Sequence, residues 1–275
     1  MENNENLQEN TRQKKKKKRV LFWVLIVIFA AIAIFSAYKL IDIALTYKHG
    51  RDMYSNIENN VIVPDVPDTS DLPGVPDDER KKNEDHFKNV DFDALKDVTE
   101  NAVGWIYCPD THINYPLVQG PDNDYYLRRA VDGSDFIYGS IFLDYRNSRD
   151  FSDRNTIIYG HQSNDGAMFE DVRKFKDQSY YEGHPFFYIT LEDGKYLLEV
   201  FSAYVTSAVS NAYRRNFDTV ESYQSWISEI SSQSSIRTGV KPATSDHIVT
   251  LSTCTYEYEN ARFVLHGRLV KLDED

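Results

Sequence analysis

Three residue types that together can carry out acyl transfer stand at the ends of apolar runs in this 275-residue sequence. Cys254 closes the β-branched run from Ile248 to Thr253, and Arg262 stands just before a second run, Phe263 to Val270. Both runs read as strands joined by a short polar loop, a placement that puts side chains on the rim of a rigid sheet. A thiolate attacks carbonyls, and a guanidinium beside it favours negative charge. A third run, Asn155 to Tyr159, ends in Tyr-Gly-His161, which supplies an imidazole able to give and take protons. A lone cysteine is more often interior packing than chemistry. Here the histidine and the arginine argue for chemistry.

The order of these pieces resembles the sortases, membrane-anchored cysteine transpeptidases of Gram-positive cell surfaces. Tyr159-Gly-His161, then Thr250-Leu-Ser-Thr-Cys254, then Arg262 eight residues on carry the likeness, which covers roughly residues 85 to 275 and is closest to class B. The resemblance implies a mainly β fold, an eight-stranded barrel with helices before it and a helix between the sixth and seventh strands. It implies Cys254 as nucleophile, His161 as acid and base, and Arg262 as the donor facing the oxyanion or the substrate backbone. It carries substrate contacts over to Asn123, Leu127, Tyr159, Ser252 and Thr253. Read on its own, Asn123 could equally cap a helix and Leu127 could belong to the core. The family reading calls for no metal and no cofactor. Its partners would be a sorting-signal peptide of secreted proteins and an amine on cell-wall precursor or pilin.

Outward from the site, residues 1–19 form a basic tail that includes Lys14 to Arg19. Val20 to Tyr38 then runs without charge for long enough to cross a hydrocarbon core as a helix, continued by an amphipathic segment to Leu45. Basic residues before the span predict a cytoplasmic amino terminus and an external catalytic domain. The lack of an Ala-x-Ala site favours an uncleaved anchor over a signal peptide. Residues 46–84, where Pro64, Pro67, Pro73 and Pro76 interleave with aspartates, read as an extended spacer.

Residues 85–275 form the expected catalytic domain. Phe87, Val90, Phe92, Leu95 and Val98 sit at near-helical spacing, with Asp91 a plausible N-cap, which predicts one or two short helices before the sheet. Further strands are read at Gly104–Cys108, Ile113–Val118, Ser140–Leu143, Phe186–Leu191 and Tyr196–Val209, making about eight in an antiparallel barrel or sandwich. Helices are expected at Ala167–Phe175 and Val220–Ile230, the second with a buried stripe of Tyr223, Trp226, Ile227 and Ile230.

A net charge of −12 argues against nucleic acid as partner. Two cysteines make no disulfide framework, and oxidation of Cys254 would silence the chemistry, so free thiols are expected. Cys108, His112, His184, His247 and His266 show no metal-ligand spacing and read as structural or surface residues. Arg268 shares a strand face with Arg262 and is expected to make a surface pair instead. Papain-like and NlpC-type peptidases place Cys before His, the reverse of the order here. An L,D-transpeptidase would carry Ser-x-Gly-Cys. An anchored module that binds a peptide without cleaving it is the non-enzyme alternative.

Overall fold

The computed structural model describes residues 2–63, 86–163, 166–255 and 257–272. Two compact units are present, Met1–Asp52 and Met53–Asp275. Helix α1 runs over Glu2–Val61. Its stretch from Lys16 on is the one among the described residues that is long and apolar enough to cross a membrane, and Val20, Phe29 and Ile34 within it are solvent-exposed.

Residues 46–61, read from the sequence as part of the spacer, instead continue α1. Tyr54, Ile57 and Val61 recur at helical spacing, are buried and join the core of the second unit. The Tyr54 hydroxyl donates to the Gly139 carbonyl at 3.2 Å. The proline-rich stretch itself lies outside the described residues. The helical run expected from Phe87 starts only at Phe92: Val90 lies in β2 (Asn89–Val90), which pairs antiparallel with β1 (Ile62–Val63), and α2 (Phe92–Val98) follows. Its Asp91 carboxylate caps the amide of Ala94 at 2.9 Å, as the sequence suggests.

Eight strands then close a barrel: β3 (Ala102–Tyr107), β4 (Asn114–Val118), β5 (Ile141–Leu143), β6 (Asn155–Tyr159), β7 (Phe186–Leu191), β8 (Gly194–Ser207), β9 (His247–Cys254) and β10 (Ala261–Leu272). Their order around the barrel is β10-β8-β7-β3-β4-β5-β6-β9. The expectation of a purely antiparallel sheet fails at two ladders, since β4 and β5 pair parallel, as do β6 and β9. A parallel pair needs a crossover. For β4 and β5 that crossover is residues 119–140, which contain Asn123 and Leu127. Inward-facing Ile106, Leu117, Ile158, Leu251 and Phe263 fill the core.

The expected helix at Ala167–Phe175 is instead a 3-10 turn over Asp171–Lys176, followed by the short helix α3 (Gln178–Gly183). Between β8 and β9, α4 (Val220–Ser232) starts at a capping box made by Thr219 and Ser222. It buries Tyr223, Trp226, Ile227 and Ile230 against Phe201, Tyr204, Ile248 and Val264 on the outside of the barrel. Each such side chain contributes on the order of 2 kcal/mol.

Candidate functional site at the barrel rim

Strand register brings the three candidate residues together. In the parallel β6–β9 ladder Tyr159 lies opposite Ser252, and the Gly160 amide extends the ladder by donating to the Ser252 carbonyl at 3.1 Å. His161, two beyond Tyr159, therefore leaves the sheet level with Cys254, two beyond Ser252. Neighbouring strands lie about 4.8 Å apart. In the antiparallel β9–β10 ladder Arg262 is directly opposite Cys254, and opposed side chains share a face. Three adjacent strands thus deliver an imidazole, a thiol and a guanidinium to one rim. Only glycine fits at 160, because a Cβ there would come within 2.5 Å of the Phe169 ring.

Cys254 is a free, half-buried thiol. The His161 Nε2–H donates to the Leu127 carbonyl at 2.7 Å, which fixes the ring and leaves Nδ1 as the acceptor of the neutral form. Burial pushes the imidazole below its ordinary range; the Leu127 bond opposes this and Arg128 adds to it, so His161 rests neutral near pH 7. Arg262 donates from a terminal nitrogen to the Ala261 carbonyl at 3.0 Å. The same oxygen accepts the Thr255 amide at 3.2 Å. Two donors of the kind an oxyanion needs already converge there on one oxygen.

The remaining sequence candidates divide by face. Ser252 shares the outer face of β9 with Cys254, and its hydroxyl lies 2.8 Å from that of Tyr213. Tyr159 stacks on Tyr213 with centroids 6.3 Å apart, and its hydroxyl donates to Asp144 at 3.1 Å. Asn123 donates to Asp144 at 3.0 Å and accepts the Tyr145 amide. Leu127 exposes its side chain beside the site. Thr253 alternates to the inside of the barrel, is 1% exposed, and so offers a groove ligand no side chain. Arg268 is ion-paired with Glu199, about 20 Å along β10 from Arg262 at the usual strand rise.

Sequence reasoning did not single out Tyr213, Asp144, Asn155 or the Leu127 carbonyl. The Asn155 amide donates to the carbonyls of Ala212 and Arg214 at 3.3 and 2.9 Å, holding the 3-10 turn Asn211–Tyr213 against Tyr159 and Ser252. Behind it, the Thr250 hydroxyl donates to Asn155 Oδ1 and accepts from His266 Nδ1. His266 Nε2 in turn accepts from the Tyr204 hydroxyl. Each donor in this chain meets one acceptor, so His266 is neutral, and burial lowers its pKa to about 3. Burial raises the Tyr213 phenol to about 12, keeping it a neutral donor beside Cys254 and Arg262.

Comparison with known proteins identifies the architecture. The sortase domain family matches residues 106–270. The chain belongs to the sortase family. It is 35% identical to sortase B of Listeria monocytogenes over 82% of this chain and 90% of that protein. It is also 35% identical to sortase B of Staphylococcus aureus, over 70% of this chain and 79% of that one. Among solved structures, a Staphylococcus aureus sortase B–substrate complex superimposes with a TM-score of 0.70 at 31% identity, covering 83% of this chain and all of that one. Sortase B from Bacillus anthracis in complex with AAEK1 gives 0.68 at 35% identity, over 82% and 99%. A sortase B complexed with triglycine gives 0.69 at 31% identity, over 82% and 99%. Sortases are cell-wall transpeptidases, and this sortase has the eight-stranded barrel of the class B structures.

Proposed function

We propose that this sortase is a membrane-anchored class B-type enzyme that cleaves a carboxyl-terminal sorting signal and passes the acyl group to an amine. The observation that carries the reading is the shared rim position of His161, Cys254 and Arg262, set by the register of β6, β9 and β10. In the proposed reaction the Cys254 sulfur attacks a threonine carbonyl of the signal. The oxyanion takes the place of the Ala261 carbonyl as partner of Arg262. His161, having taken the Cys254 thiol proton as the sulfur attacks, gives it to the departing amine as the C–N bond breaks and the thioester forms. An incoming amine then attacks the thioester, losing its proton to His161 and releasing Cys254.

The apolar span of α1 supports anchoring, with the basic tail inside and the barrel outside. The sortase B complexes with a substrate and with triglycine support a peptide donor and an amine acceptor. Cell-wall precursor and pilin are the acceptor classes proposed for this chain.

The test is to incubate the full chain in detergent with a peptide library and amine acceptors, and to identify products by mass. Joined peptide–amine products that vanish in Cys254→Ala are expected. Turnover that survives this change would refute the nucleophile, and products of hydrolysis alone would favour a peptidase.

A further inference from the structure

Asp144, the residue after β5, is fully buried, yet it is not among the groups that do the chemistry. Its carboxylate collects donors from three sides. Arg146 contributes Nε at 2.7 Å, a terminal nitrogen at 2.6 Å and its backbone amide at 3.0 Å. Asn123 contributes its side-chain amide from the β4–β5 crossover, and Tyr159 its hydroxyl from the outer face of β6. The Asp144 carbonyl meanwhile accepts the Gln119 side chain at 3.0 Å, at the start of the same crossover. Burial alone would raise the Asp144 carboxyl, but the bonds from Arg146 and Asn123 bring it down to about 2, so it is an anion at any working pH.

A buried carboxylate is tolerated only when it is paired and its lone pairs are filled. Here the filling groups belong to two different parts of the groove. Asn123 stands on the β4–β5 crossover and Tyr159 on the outer face of β6, and these elements meet through the one anion. The Asn123 carbonyl oxygen is itself engaged by the Tyr145 amide, so both ends of that side chain are tied to the residues following β5. Four residues on, the same crossover presents the carbonyl that orients His161.

We propose that Asp144 is a positioning residue for transpeptidation, its carboxylate holding Asn123 and Tyr159 in the geometry that receives the peptide. The inference rests on the transpeptidase reading above for its kinetic consequence. Its structural consequence stands apart from that reading. The role predicts loss of peptide affinity ahead of loss of chemistry, because Asp144 bonds directly to Asn123 and Tyr159 but reaches His161 only through the Leu127 carbonyl, four residues beyond Asn123.

The experiment compares the full chain with its Asp144→Asn variant, using the library peptide that the wild type turns over fastest. Asp144→Asn should raise KM about tenfold or more, as expected for losing charge-assisted bonds, with kcat changed far less. Tyr159→Phe should cost less in the Asp144→Asn background than in the wild type, because its hydroxyl there has only a neutral amide in place of the charged acceptor. Hydrogen exchange should show residues 119–127 losing protection in Asp144→Asn while β7 and β8 keep theirs. An unchanged KM, a fall in kcat alone, or additive losses would overturn the proposal. If the wild type turns over no peptide, the transpeptidase reading fails, and the exchange arm still decides. Loss of protection confined to the groove then supports the positioning role, and unchanged protection removes it. If Asp144→Asn does not fold, Arg146→Lys breaks the two-pronged bond while keeping the charge. It should raise KM about fivefold, a smaller loss of the same kind, and an unchanged KM would count against the proposal.

Discussion

The two faces of β9 share one backbone and do different work. Val249, Leu251 and Thr253 point into the barrel, two of them packed in the core with Phe263 and Leu265. Ile248, Thr250, Ser252 and Cys254 point outward. There Ile248 seats α4, Thr250 joins the chain from Tyr204 to Asn155, Ser252 meets Tyr213, and Cys254 reaches the rim. The inner face holds the barrel closed by burial, whereas the outer face holds the groove by directed hydrogen bonds. Because strand side chains alternate, a slip of one residue would exchange the two sets and destroy both.

The largest separation between the faces should come from Arg262→Gln on the neighbouring strand. It removes the donor proposed to face the developing charge, so kcat/KM should fall about 100- to 1000-fold. Urea unfolding should stay near wild type; an equally large loss of stability would mean that Arg262 is mainly structural. On the inner face, Leu251→Ala should do the opposite, costing about 2–5 kcal/mol of stability through the cavity it opens. Activity per folded molecule should be little changed.

A pH series sharpens the contrast. His266 sits on the outer face of β10 with a folded-state pKa near 3, below its ordinary value of about 6.5. The unfolded chain therefore takes up the proton first, and this stability is lost progressively as pH falls from about 6.5 toward 3. Between pH 6.5 and 5 the loss is between about 1 and 2 kcal/mol, since the slope grows from half of about 1.4 kcal/mol per unit toward the full value for one proton. His161, also lowered, adds in the same direction. Asp144 acts later, its contribution being lost only below about pH 4. Thermal unfolding of His266→Gln should therefore depend less on pH between 6.5 and 5 than that of the wild type. The smallest effect belongs to Arg268→Gln, which breaks a partly exposed pair with Glu199. Stability should shift by less than about 1 kcal/mol, and kcat/KM should stay within assay error, in contrast to Arg262→Gln.

What was legible in the sequence follows the same division. Apolar β-branched runs marked the strands, and their ends marked Cys254, His161 and Arg262. The stripe of Tyr223, Trp226, Ile227 and Ile230 marked α4, and Asp91 marked the cap of α2. Strand direction was not legible, because a run such as Asn155–Tyr159 reads the same in a parallel or an antiparallel pair. Yet the parallel β6–β9 ladder is what brings His161 level with Cys254. The helical stretch 46–61 was hidden by the prolines that follow it, although Tyr54, Ile57 and Val61 carry a helical spacing. Thr253 could have been set apart, since strand alternation already places it opposite Ser252 and Cys254. Asp144 gave one local signal, a carboxylate two residues before an arginine at a strand end. Its ties to Asn123 and Tyr159 depend on contacts between distant parts of the chain.

The account turns on the sulfur of Cys254 carrying the acyl group between peptide and amine. The direct measurement is the intact mass of the full chain mixed with a turned-over peptide and quenched in acid before an amine is added. The account predicts a chain heavier by the amino-terminal part of the cleaved peptide, with the adduct mapped to Cys254 and discharged when an amine is supplied. Turnover with no adduct on Cys254, or an adduct on another residue that the amine releases, would contradict it.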